Sequence, residues 1–232
     1  MPSKALTIRL EELVNNPTPR TPVCLCLDVS ASMMGDPIRE LARGAAQFIE
    51  ELQGDVIAAA SAEVCVVTFG TAVNVVLDFS SLGNINPRIP LVASGPTPMG
   101  EAVNKALDLL EARKREYQNT GVDYHQPWLV LMSDGAPTDD IEAAANRTAE
   151  LIAQRKLSTF AIGIGANAQK ATLARFSPTR QPLKLAGVRF AEFFVWLSRS
   201  VQGVSASTPG TEVQLDATGV ANWADQAGWG KA

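Results

Sequence analysis

Short apolar or β-branched runs alternate with helix-length amphipathic segments along this chain, and that alternation restricts its fold more than any other feature. The runs "VCLCLD", "AEVCVVTF", "AVNVVLDF", "PWLVLMSD", "STFAIGIG" and "PLKLAG" read as strands. Between and after them, "PIRELARGAAQFIEELQ", "GEAVNKALDLLEARKREY", "DIEAAANRTAELIAQR", "QKATLARF" and "FAEFFVWLSRSV" carry the spacing of helices with one apolar face. Strands separated by helices pair in parallel, because a crossover of helix length returns the chain to the same end of the sheet. The second and third runs differ, since only Gly70 and Thr71 separate them, and so short a link forces a hairpin. The predicted fold is therefore α/β and Rossmann-like: a doubly wound, mostly parallel six-stranded sheet with one antiparallel edge strand and helices on both faces.

A chain of 232 residues that is 46% hydrophobic can bury a large core, and one α/β domain over residues 23–203 uses most of it. Residues 1–22, ending in "NNPTPRTP", read as an N-terminal extension with an extended connector. Residues 204–232 read as a C-terminal tail, partly docked through Val213, Leu215, Trp223 and Trp229 and loose at its end. The N-terminus lacks an apolar leader and no run approaches the roughly 20 apolar residues that span a bilayer, so a soluble, cytoplasmic chain without a membrane partner is expected. The net charge is -4 and no basic stripe stands out, which argues against nucleic acid. Cys24, Cys26 and Cys65 sit in strand runs and read as reduced core residues, with no further Cys or His pair to make a soft-metal site.

In an open α/β sheet, ligands bind beyond the carboxyl ends of the strands, where the strand order reverses. Three loops should meet there: Asp28 to Ser32 after the first strand, "SGPTPMGEA" around Thr97, and "SDGAPTDD" around Asp134. Asp36, Thr97 and Thr138 each precede a plausible first helical turn and read also as N-caps. Capping leaves Asp28, Ser30 and Ser32 unexplained. Two carboxylates and three hydroxyls converging without a nearby Lys, Arg or His are poorly satisfied unless a hard cation lies among them. Magnesium suits such a set, because it takes near-octahedral oxygen ligands and keeps several waters that carboxylates can hold.

These residues are where the sequence resembles a family, the von Willebrand factor A domains, whose metal-ion-dependent adhesion site is an Asp-x-Ser-x-Ser motif followed by a distant Thr and a distant Asp. Asp28, Ser30, Ser32, Thr97 and Asp134 match in order, and Ala31 stands where many members carry Gly. The resemblance covers roughly residues 20–203. It implies that Ser30, Ser32 and Thr97 bind a divalent metal directly, Mg2+ first and Mn2+ or Ca2+ as alternatives. Asp28 and Asp134 would then act mainly through water, with the sixth position open to an Asp or Glu carboxylate of a partner protein. Met33, Met34 and Met99 fall in the same loops and read as a partner-binding rim. Within the family the chain is similar to bacterial tellurium-resistance TerY-like proteins, through "PVCLCLDVSASMMGDPI", "SGPTPMGEA" and "FAEFFVWLSRSV". That likeness implies a cytoplasmic scaffold in a stress system, alongside a Ser/Thr kinase or PP2C-type phosphatase.

An enzyme is the main rival reading. Haloacid-dehalogenase phosphatases also end a strand in a nucleophilic Asp, but Ser30 stands where their acid/base Asp belongs. His125 is the one histidine and has no Gly-x-Ser-x-Gly serine to serve. "GIGANA" at 163–168 fits a dinucleotide fingerprint, yet it follows a late strand without an acid about 20 residues on, so it reads as a tight turn. A third reading is a partner subunit of a MoxR-like or chelatase-like AAA+ ATPase, with the motor on another chain because no Walker A sequence is present. No catalytic turnover is expected.

Overall fold

The structure, a computed structural model, describes residues 13–16, 18–165, 168–185 and 190–215. Its six strands are β1 (Thr21–Asp28), β2 (Ala62–Phe69), β3 (Val73–Ser81), β4 (Trp128–Ser133), β5 (Ser158–Ile164) and β6 (Leu183–Leu185). They form one sheet in the order β3-β2-β1-β4-β5-β6. All neighbours pair in parallel except β2 and β3, which are antiparallel as the short Gly70 link requires. The helices are α1 (Asp36–Gly54), α2 (Val56–Ser61), α3 (Met99–Thr120), α4 (Glu142–Ala153), α5 (Lys170–Arg175) and α6 (Phe190–Ser205). The expected α/β sheet with its antiparallel edge strand is the fold observed; α2, a single apolar-rich turn and a half between α1 and β2, had no sequence counterpart. Among the described residues, no helix is long and apolar enough to cross a membrane.

β1 lies at the centre, buried along its whole length, and its alternation divides the core. Val23, Leu25 and Leu27 face α1 and α6, together with Phe48, Phe193, Phe194 and Leu197. Cys24 and Cys26 face α3 with Cys65, Val103 and Leu107. All three cysteines are free and buried, as their strand positions suggested. α1 and α6 approach closely at Gly44, where a Cβ would stand 2.4 Å from the ring of Phe194. At the N-terminal end of the chain, Leu13 is buried against Tyr117 and Val122, and Asn16 and Arg20 bond to the carbonyl of Ala60. At the other end Leu215 is buried and Val213 packs on the α1–α6 side of the core. Trp223 and Trp229 lie outside the described residues.

One polar cluster sits inside this framework. Glu63, at the start of β2, accepts from Arg113 Nε and Nη2 of α3, each at 2.7 Å, and from the Tyr117 hydroxyl at 2.6 Å. Arg20 Nε lies 3.8 Å from the same carboxylate. Glu63, Arg113 and Arg20 are each at most 3% exposed. Burial alone would lower the Arg113 pKa, but Glu63 reverses that and holds the guanidinium firmly charged.

Candidate functional site

β1 and β4 are neighbours whose crossovers leave in opposite directions, so the loops after them open into the crevice at the switch point. Asp28 ends β1 and is fully buried. Its Oδ1 accepts from the Ser30 amide at 2.8 Å, and its Oδ2 accepts from the hydroxyl of Ser133, the last residue of β4. Burial pushes the Asp28 carboxyl up; the bonds from Ser133 and Ser30 pull it back, and the charge of Asp134 adds to the rise. The two motif hydroxyls follow. Ser30 Oγ and Ser32 Oγ are 3.0 Å apart, and Ser32 Oγ donates to Asp134 Oδ1 at 2.7 Å.

Thr97 comes to the same place from the loop before α3. A Cβ on Gly135, the residue after Asp134, would lie 3.8 Å from Thr97 Oγ1 and 3.9 Å from Ser32 Oγ, so both hydroxyls border one point. All five sequence-expected residues are therefore together at the carboxyl edge of the sheet. Their loops are stitched by backbone: Ala31 N–H donates to Gly95 O at 3.0 Å, Ser94 N–H to Val29 O at 2.7 Å, and Thr138 N–H to Thr97 O at 2.9 Å. Thr97 is only 6% exposed, so it is a buried loop residue rather than a surface one.

The capping expectations are corrected here. Asp36 lies inside the first turn of α1, where it pairs with Arg39; the cap position belongs to Gly35, whose φ of 92° suits glycine. Thr97 does not cap α3, which begins after Pro98. Thr138 does not cap α4, which starts at Glu142; its Oγ1 instead accepts from the Thr97 amide at 3.0 Å. The cap on α3 is Asp139, whose Oδ1 accepts from Gly100 N–H at 3.1 Å and whose Oδ2 accepts from Glu101 N–H at 2.8 Å. Asp139→Ala is expected to lower stability by about 1 kcal/mol, measured as a lower urea midpoint at unchanged slope. An unchanged midpoint would mean that those amides gain nothing from Asp139.

The methionine rim is corrected in two of its three members. Met33 and Met99 are fully buried, one in each half of the core, Met33 in the turn after β1 and Met99 as the first residue of α3. Met34 alone is exposed, at 62%. Ser133 and Asp139 support the site and were not singled out from the sequence, which read Thr138 only as a helix cap. Ser133 could have been found from pairing, since the register Leu27↔Met132 places it across from Asp28.

The donor set is oxygen only, three short hydroxyls backed by two carboxylates. That fits a hard divalent cation and no soft one. Among the described residues, no group of three or more His, Cys, Asp or Glu side chains gathers to make an alternative cage.

The sequence matches the family described as von Willebrand factor type A domain over residues 23–192. No curated protein matches it. Solved structures share its fold. A von Willebrand factor type A protein from Catenulispora acidiphila is 17% identical at a TM-score of 0.55, over 80% of this chain and 43% of that one. Proximal thread matrix protein 1 from the mussel byssus, with a zinc-occupied MIDAS motif, is 16% identical at 0.53, over 79% and 48%. Manganese-loaded TRAP from Plasmodium vivax is 17% identical at 0.52, over 77% and 74%. The chain thus spans less than half the length of the first two.

Proposed function

The chain belongs to the von Willebrand factor type A family, and from that premise we propose that it is a non-catalytic protein-binding module whose sheet edge holds a divalent cation, Mg2+ first. Ser30, Ser32 and Thr97 would ligate the ion directly, and Asp28 and Asp134 would hold its waters. When bound, such an ion supplies an electrophilic position open to an Asp or Glu carboxylate of a partner protein. The observation that carries this reading is the unbroken run Ser30 Oγ, Ser32 Oγ, Asp134 Oδ1 beside a buried Asp28, reached also by Thr97. The zinc-occupied MIDAS motif of the mussel protein and the manganese carried by the Plasmodium protein support the binding of a divalent ion. We place the module in the cytoplasm of a bacterium, in a tellurite or stress response with a Ser/Thr kinase or PP2C-type phosphatase as partner, on its likeness to TerY-like proteins.

Thermal melts with Mg2+ or Mn2+ and with EDTA test the site. At ten times Kd the ion should add roughly 1.4 kcal/mol, or about 3–5 °C for a chain of this size. Ser30→Ala with Ser32→Ala should abolish that shift while leaving the EDTA melt near wild type. A shift that survives the double substitution places the ion elsewhere, and phosphatase turnover abolished by Asp28→Asn would replace the binding reading with an enzymatic one.

A further inference from the structure

Two cavities lie side by side where β4 and β5 begin, at the edge of the sheet opposite the hydroxyl site. They measure about 540 and 350 Å³ and share Gln126, Arg155 and Gly210. The larger is walled by the C-terminal half of α3, which contributes Lys114 and Arg115, and by the end of α4, which contributes Arg155 and Lys156. Its single carboxylate, Glu111, is held by Lys114 Nζ at 2.7 Å. Arg115, Arg155 and Lys156 have no side-chain hydrogen bond or ion pair among the described residues. Three solvent-exposed cations without a carboxylate partner thus border one cavity on a chain whose net charge is -4.

Arg155 adds an independent signal. Its φ is 54°, the one left-handed backbone among the described non-glycine residues. The amide bonds Arg155 N–H to Ile152 O at 2.9 Å and Lys156 N–H to Leu151 O at 2.8 Å make it the terminating residue of α4, a position that glycine fills without strain. Cations at a helix C-terminus complement its dipole. That accounts for the charge of Arg155 and Lys156, but neither for Arg115, in the body of α3, nor for a left-handed arginine where glycine would serve. The smaller cavity is lined by Glu212 and Arg180, and by His125, which is only 4% exposed and whose Nε2 is buried without a hydrogen-bond partner.

We propose that the larger cavity binds a small phosphoryl-bearing anion, with Arg115, Arg155 and Lys156 on its oxygens. A ligand with two or more negative charges matches three free cations better than a monocarboxylate, and the planar fork of arginine suits phosphate oxygens. This site is independent of the cation site and stands or falls separately.

The test uses the full chain in EDTA throughout, so that no divalent ion contributes. Thermal melts are recorded against inorganic phosphate and pyrophosphate, with sodium chloride at matched ionic strength. Pyrophosphate at ten times Kd should raise Tm by roughly 3–5 °C and outdo phosphate. Arg155→Gly should leave the ligand-free Tm at or above wild type, because the strain is relieved, yet weaken pyrophosphate binding at least tenfold. An equal shift from chloride, or wild-type affinity in Arg155→Gly, overturns the proposal.

Discussion

Arg113→Ala is expected to destabilise the protein by about 3–5 kcal/mol. Glu63 lies at the start of β2, 1% exposed, and its two oxygens take both nitrogens of the Arg113 fork as well as the Tyr117 hydroxyl. Removing the guanidinium leaves that carboxylate in the interior with Tyr117 and a more distant Arg20, whose Nε is 3.8 Å away and buried without a hydrogen bond. Arg20 cannot take over, because its Nη1 and Nη2 are engaged by Ala60 O and Asn16 O. The cost is chiefly that of a stranded charge, not of a lost attraction. Adding Glu63→Gln to Arg113→Ala should therefore recover part of the loss, since the neutral amide is cheaper to bury. Urea denaturation of the single and double variants measures both. A single-variant loss below about 1 kcal/mol would place the pair in the class of solvated surface bridges.

This cluster shows where sequence reasoning stops. Glu63 opens an otherwise apolar run, and Arg113 sits within "EARKREY", a stretch that reads as a solvated helix face. Only the packing of α3 across β2 turns two surface-like residues into a buried pair. The strand directions were legible, because apolar runs of strand length stood between helix-length segments, and the Gly70 link left β3 no choice but to run antiparallel. The convergence of Asp28, Ser30, Ser32, Thr97 and Asp134 was legible too, since each lies in a loop at the same edge of the sheet. What could not be read was the support beneath them. The cap of α3 comes from Asp139, some forty residues along the chain, and local capping rules pointed to Thr97 instead. Met33 adjoins exposed Met34 in the loop after β1, and nothing in their order tells which of the two turns inward.

Gly100→Ala should destabilise by about 2–4 kcal/mol, combining overpacking with loss of the Asp139 cap. On an exposed helix the same change would stabilise by up to about 1 kcal/mol, so the sign alone is diagnostic. Gly100 is the second residue of α3, and a Cβ there would stand 2.3 Å from the carbonyl oxygen of Asp140 and 3.1 Å from Asp139 Oδ2. The first contact is with backbone, which cannot rotate away, so the loop of residues 134–140 must withdraw. That loop carries Asp134, and through Thr138 it also holds the backbone of Thr97. Withdrawal would therefore separate Asp134 and Thr97 from Ser30 and Ser32. Under the proposed function, Gly100→Ala loses both stability and the Mg2+-dependent melting shift, whereas Ser30→Ala with Ser32→Ala loses the shift alone. Asp139→Ala differs from both, with a smaller loss of stability than Gly100→Ala and a shift reduced but present, because the loops still touch without a steric wedge. Melts of the three variants with Mg2+ and with EDTA separate the cases. A full Mg2+ shift in Gly100→Ala would mean that the two loops need not abut to hold the ion.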